Sequence, residues 1–474
     1  MTLAAFKNTI RQAAQSGALG RSVIGDGVMI PGLDGEVPLV YADYVASGRA
    51  LRQVEDFVAV QVLPFYANSH TEASYCGTQM TRLRREARAE IARMTGATGD
   101  DAVIFTGSGA TAGLNRLVSL FGVNEAVRPV VFIGPYEHHS NILPWRESKA
   151  VVVEIPEAAE GGADLAVLEL ALKQHADSDL KIGSFSAASN VTGILTDPDP
   201  ISCLLHEHGA LAVWDYAGGG PYLPIDMGSN GAERKDAVVV SPHKFPGGPG
   251  ASGVLVVNTG AVRRSCPSWP GGGTVSFVSP WQHEYSLDLA TREEAGTPNV
   301  IGDIRAALAF LVKEAVGQDQ IEAREAKFAG MAWAGWSSNP RLQILGHRDA
   351  HRLPIFSFLV SDGAGNPVHQ QLFTRMLSDV YGIQARGGCA CAGPYAHRLL
   401  GIGQPESERL FADLQAGEEM KKPGWVRLNF SYLMEEERAR YIIDCVNDLT
   451  QRAGELAARY NVDPETARFK ALVA

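Results

Sequence analysis

Eight short apolar runs, separated by longer helix-like stretches, occupy the first part of the chain and restrict what it can become. They fall at residues 39–41, 102–105, 130–133, 151–155, 181–186, 211–214, 237–240 and 253–257. Helical patterns at 80–95, 111–120, 164–175 and 201–208 lie between them. A strand apolar on both faces must be covered on both faces, and strands joined through helices run parallel. The expected class is therefore α/β, a mainly parallel sheet sandwiched by helices. Ligands of such sheets gather at the carboxyl ends of the strands.

After about residue 300 the texture changes. A long helical stretch from 301 leads to strands near 352–359 and 425–430, and a helix over 435–460 follows. The expected organisation is a large domain over 39–300 and a smaller α+β domain over 301–474, with the N-terminal segment 1–38 packed on the small domain.

A chain of 474 residues has ample length for two such cores. Its net charge of −11 argues against a broad nucleic-acid footprint, which needs a basic face. No apolar run reaches the ~20 residues of a membrane helix, so neither nucleic acid nor membrane is an expected partner. Lys7, Arg11 and Arg21 with no acid before residue 26 faintly resemble a transit peptide, but an amphipathic starting helix is the expectation. Six cysteines, mostly scattered, fit free thiols in a reducing, cytoplasmic setting rather than a disulfide framework.

Three strand ends carry chemistry. Phe105-Thr-Gly-Ser-Gly-Ala-Thr111 follows a strand and opens a helix, where glycine lets backbone N–H groups approach an anion. Its glycine order does not match the dinucleotide fingerprint. Asp215 ends the run Leu211-Ala-Val-Trp-Asp, where a carboxylate serves as a metal ligand, a helix cap or a partner for a pyridinium nitrogen; taken singly, the cap is favoured. Lys244 lies in Ser241-Pro-His-Lys directly after the strand 237–240, and burial there would make its amine nucleophilic. Anion cradle, strand-end acid and strand-end lysine, in that order, are what pyridoxal 5′-phosphate needs: a phosphate site, a partner for the ring nitrogen, and an amine for covalent attachment.

The chain from about Tyr41 to Tyr432 resembles the fold-type I pyridoxal-phosphate enzymes of the class V aminotransferase superfamily, in its group II cysteine desulfurase and selenocysteine lyase branch. The resemblance is carried by Tyr41-Ala-Asp-Tyr-Val-Ala-Ser47, Glu137-His-His-Ser-Asn-Ile-Leu-Pro-Trp145, Ser189-Asn-Val-Thr-Gly193, Ser241-Pro-His-Lys244, Glu294-Ala-Gly-Thr-Pro-Asn299 and Arg386-Gly-Gly-Cys-Ala-Cys-Ala-Gly-Pro394. It implies a mixed seven-stranded sheet, a homodimer with shared active sites, and roles for the matched positions. His138 would stack on the cofactor ring and Asn190 would reach its phenolic oxygen. Ser241 and His243 would hold the phosphate beside Ala110 and Thr111, with Thr297 reaching the cofactor of a neighbouring subunit. Arg427 would take the substrate carboxylate, with Arg386, Ser47, His70 and Asn190 completing the substrate site. One departure stands out: Gly218 occupies a position where the family usually has glutamine.

Cys389 and Cys391 share a glycine-rich loop. A metal site lacks a second Cys or His pair nearby, and a buried structural pair suits so glycine-rich a loop poorly. The third and favoured reading is a mobile nucleophile, with Arg386 close in sequence to favour thiolate. By resemblance Cys391 falls on the persulfide-forming cysteine, while Cys389 stands where relatives often have histidine. The implied activity is release of sulfur or selenium from L-cysteine or L-selenocysteine to give L-alanine, with a protein sulfur acceptor as a further partner. Two alternatives stay open at this point: another class V reaction (C–S lyase, epimerase or aminotransferase), and a non-catalytic protein on the same fold.

Overall fold

The computed structural model describes residues 2–68, 72–228 and 231–472, and the chain divides into two compact units. The first comprises Met1–Ser22, Ser47–Ala188 and Leu195–Gln318; the second comprises Val23–Ala46, Ser189–Ile194 and Asp319–Ala474.

The first unit is built on a seven-stranded sheet. Its strands are β1 (Asp101–Gly107), β2 (Pro129–Ile133), β3 (Val151–Glu154), β4 (Leu180–Ser186), β5 (Leu211–Asp215), β6 (Ala237–Val240) and β7 (Gly253–Asn258), in the order β1-β7-β6-β5-β4-β2-β3. Only β7 runs antiparallel to its neighbours, so the other six point their carboxyl ends the same way. Every residue of β2 and β6 is buried, as strands covered on both faces require. Helices α1 (Leu3–Gln15), α2 (Tyr75–Met94), α3 (Gly109–Leu120), α4 (Leu165–Gln174), α5 (Pro198–Glu207) and α6 (Val300–Val316) belong to this unit. On α1 the buried residues Leu3, Phe6 and Ile10 recur at helical spacing, and the helix packs against α6.

The second unit holds a wholly antiparallel four-stranded sheet: β8 (Leu342–Ile344), β9 (Ile355–Val360), β10 (Arg386–Gly388) and β11 (Trp425–Asn429), in the order β8-β9-β11-β10. Helices α7 (Gln318–Trp336), α8 (Gln370–Tyr381), α9 (Gly393–Leu400) and α10 (Glu436–Ala457) accompany it. Trp336 anchors its core, meeting Phe356 edge to face at 5.2 Å between ring centroids.

Local patterns located the strands better than their partners. Seven of the eight apolar runs form the large sheet, but the run at 39–41 does not join it: Val40–Tyr41 pairs in parallel with Ile383–Gln384 in the second unit. An apolar run reports burial, not which sheet buries it. The expected bounds 1–38, 39–300 and 301–474 also divide differently. Residues through Ser22, and all of α6, lie with the large sheet, because α1 and α6 pack on each other. The last helix stops at Ala457, and the chain turns into a hairpin, Tyr460–Asp463 with Arg468–Ala471.

Candidate active site

In the first unit, the aligned carboxyl ends of the parallel strands bring the expected cofactor residues to one edge of the sheet. β1 ends at Gly107 and feeds α3, whose N-terminal N–H of Ala110 donates to Ser241 Oγ at 2.9 Å. Gly109 sits between these segments at φ +64°, and a Cβ there would lie 2.9 Å from both His243 Cε1 and Ser241 Oγ. Only glycine lets the turn close this tightly. Because Ser241 Oγ accepts from Ala110, its own proton remains to be donated to an anion at the helix N-terminus. Burial, with the Lys244 charge beside it, lowers His243 to about 4, so the ring is neutral at physiological pH. Thr111 Oγ1 lies 2.7 Å from Ser140 Oγ, which in turn lies 3.0 Å from His138 Nδ1. The Ser140 N–H donates to that same Nδ1 at 3.1 Å, which makes Nδ1 the acceptor and puts the proton of neutral His138 on Nε2.

Asp215 closes β5 and Lys244 follows β6, the neighbouring parallel strand. Asp215 is buried and accepts from the Ala217 N–H at 2.7 Å. Burial raises its pKa; the Ala217 hydrogen bond and the Lys244 charge pull the other way. A protonated ring nitrogen would supply the cation this carboxylate needs, and the glycine-lined cradle fits a phosphate. The residues present therefore fit pyridoxal 5′-phosphate. Gly218, in the turn after Asp215, offers no side chain to such a ring.

Ser47 Oγ bonds the carbonyl of Gly48, whose N–H donates to His243 O at 2.9 Å. Thr297 is exposed in the turn before α6. His70 lies outside the described residues. No cluster of three or more metal-ligating side chains occurs among the described residues.

Two residues with no assigned role in the sequence join this edge. Glu137, next to His138, is buried and accepts from Ser186 N at 2.8 Å and Ser186 Oγ at 2.6 Å, and Asn141 Nδ2 also donates to it. Burial, with Asp215 adding, pushes it up to about 7. Ser140, the bridge from Thr111 to His138, is the second. Both sit inside the motif at 137–145, so adjacency to His138 was the available signal.

The second unit carries the expected substrate and thiol residues. Arg427 lies on β11, an interior strand, and is 3 % exposed. Its Nη2 donates to Asp43 Oδ1 at 2.8 Å and its Nη1 to the carbonyl of Asn190 at 2.9 Å. Arg386 stands opposite it on β10 and donates Nε to Asp43 Oδ2 at 2.9 Å. The cation that the sequence places near the thiols is thus engaged by a carboxylate. Asn190 donates Nδ2 to the carbonyl of Ala390 at 2.8 Å, leaving its Oδ1 buried without a partner. Ala390 (φ +54°) and Cys391 (φ +56°) are both left-handed, and Ala392 N–H closes the turn onto Cys389 O at 3.1 Å. Cys391 is exposed and Cys389 half-buried. Asp43, within the motif at 41–47, is the centre of this cluster.

A strand-end lysine and acid flanking a glycine-lined helix N-terminus define a pyridoxal-phosphate-dependent enzyme on a mostly parallel seven-stranded sheet. Residues 40–432 match the family model described as aminotransferase class-V, and the chain belongs to that family. It is 30% identical over 75% of its length to a probable cysteine desulfurase of Vibrio cholerae, covering 85% of that protein. A probable cysteine desulfurase of Halalkalibacterium halodurans is 29% identical, over 77% of this chain and 88% of the relative. Among solved structures, the apo cysteine desulfurase of Thermococcus onnurineus superposes with a TM-score of 0.71 at 23% identity, over 87% of this chain and 94% of that one. An Escherichia coli cysteine desulfurase in an S-sulfonic acid form gives 0.68 at 23% identity, over 88% and 94%.

Proposed function

We propose that the protein is a cysteine desulfurase that also accepts L-selenocysteine, moving sulfur from L-cysteine onto Cys391 and releasing L-alanine. The observation that carries this reading is the exposed Cys391, held in a left-handed turn whose carbonyl at Ala390 is fixed by Asn190. The names borne by the relatives point the same way. Bound pyridoxal phosphate supplies the electron sink that weakens bonds at the substrate's Cα.

The chain's own residues supply the rest. Ala110, Thr111, Ser241 and His243 would hold the phosphate, and His138 would stack on the ring. Asp215 would keep the ring nitrogen protonated, and Lys244 Nζ would carry the proton to and from Cα. Arg427 and Arg386 orient the substrate carboxylate. The Cys391 thiolate attacks the substrate sulfur: an S–S bond forms, the C–S bond breaks, and a proton replaces sulfur on carbon. The balance is L-cysteine plus thiol giving L-alanine plus persulfide. The terminal sulfur then passes to an acceptor protein or thiol.

The site works in a cytoplasmic homodimer in which Thr297 reaches the partner's cofactor; sedimentation at assay concentration should show no active monomer. Gly218, where the family usually has glutamine, favours a second reading as a C–S lyase, epimerase or aminotransferase of another amino acid. Product analysis with L-cysteine, L-selenocysteine and L-alanine separates the two. Cys391→Ser should abolish sulfide release from L-cysteine with the cofactor spectrum intact, and Cys389→Ser should only weaken it. Sulfide release by Cys391→Ser at the parent rate would sink the persulfide reading.

A further inference from the structure

Asp43 is a buried carboxylate shared by two arginines. Its Oδ1 accepts from Arg427 Nη2 at 2.8 Å and its Oδ2 from Arg386 Nε at 2.9 Å. The arginines are direct cross-strand partners on β10 and β11, where like charges repel. Burial lowers the pKa of Arg427, Asp43 opposes that fall, and Arg386 adds to it. Arg427 also has its Nε–H buried without a partner. Arg386 leaves 47% of its side chain exposed. The cluster is therefore a cationic site with one buried fork, one open fork and a single internal anion between them.

The charge count decides what such a site prefers. Two guanidiniums less one carboxylate leave one positive charge, the complement of a single carboxylate. Without Asp43 the cluster would carry two, which favours a dianion.

We infer that Asp43 is a specificity-determining, positioning residue: it aligns the two arginine forks and tunes their site to a monoanionic α-carboxylate, discriminating against dianionic ligands. This rests on the reading of Arg427 and Arg386 as the amino-acid carboxylate site. Asp43 touches neither substrate nor cofactor in this role and acts through the arginines.

The test reads anion selectivity in the holoenzyme. L-alanine is titrated against the visible cofactor band, with acetate and sulfate as competitors at constant ionic strength. Asp43→Asn keeps the shape and removes the charge, and should raise the sulfate-to-acetate affinity ratio by about tenfold. Arg386→Gln, at a half-exposed position, should move the ratio in the opposite direction. A purely structural Asp43 would weaken both anions alike and leave the ratio at the parent value. An unchanged ratio in Asp43→Asn overturns the inference, whatever Arg386→Gln does. The assay needs only amino-acid binding, so absence of sulfide release in the parent would count against the proposed reaction without touching this result.

Discussion

The cofactor edge of the first unit and the arginine cluster of the second hold their functional groups by different means. At the sheet edge the backbone does the placing. Asp215 closes one strand, Lys244 follows its parallel neighbour, and the glycine-lined turn opens where β1 turns into α3. In the second unit the side chains place each other. Arg386, Asp43, Arg427, Asn190 and Ala390 form one chain of contacts, and the Asp43–Arg427 link joins residues 384 positions apart. A backbone-placed group tolerates change around it, whereas a linked group passes change along.

The sharpest break of this comparison is Lys244→Ala. It should abolish the visible band of the bound cofactor and all turnover while leaving the fold intact, because the strand, not the amine, positions the site. Borohydride reduction followed by peptide mapping should find the cofactor on Lys244 in the parent; attachment to another lysine would refute the assignment.

Asp215→Asn comes next. The shape is kept but the partner for a protonated ring nitrogen is lost, so turnover should fall about a thousandfold, or ~4 kcal/mol. Cofactor should still bind. Near-normal turnover would remove Asp215 from this role.

Glu137→Gln gives the smallest effect and is read in stability. Glu137 titrates near 4.5 when unfolded and about 7 when folded, so the folded state binds the extra proton between those values. Its contribution is full below about 4.5 and is lost as pH rises to about 7, by up to ~3 kcal/mol. The parent should lose stability relative to Glu137→Gln across that window in denaturant melts. Parallel pH profiles would show that Glu137 does not titrate there.

The same contrast explains what could be read from the chain before its structure. Strand-end groups were legible because an apolar run and the turn after it are local, as at Val240 and Ser241 to Lys244. The alternation of runs and helices also carried the mainly parallel sheet, while its count of seven strands came with the family resemblance. What stayed hidden was relational. Val40–Tyr41 looks like any buried strand, and nothing local says that it pairs with Ile383–Gln384. Asp43 was visible in its motif, but its two arginines lie beyond residue 385. Glu137 stands in its motif without a role until Ser186 and Asn141 are seen around it.

The turn at Ala390 and Cys391 has a consequence for how the thiol can be aimed. Two successive L-residues stand where glycine is at ease, at a cost on the order of 1–2 kcal/mol each. The hydrogen bonds from Asn190 and Ala392 offset part of that cost. The turn therefore behaves as a cocked spring, held by the Asn190 amide and the Ala392 N–H. A glycine in place of Ala390 would slacken it, making the turn easier to form while letting the sulfur wander. Ease of folding and accuracy of aim part company at that one position.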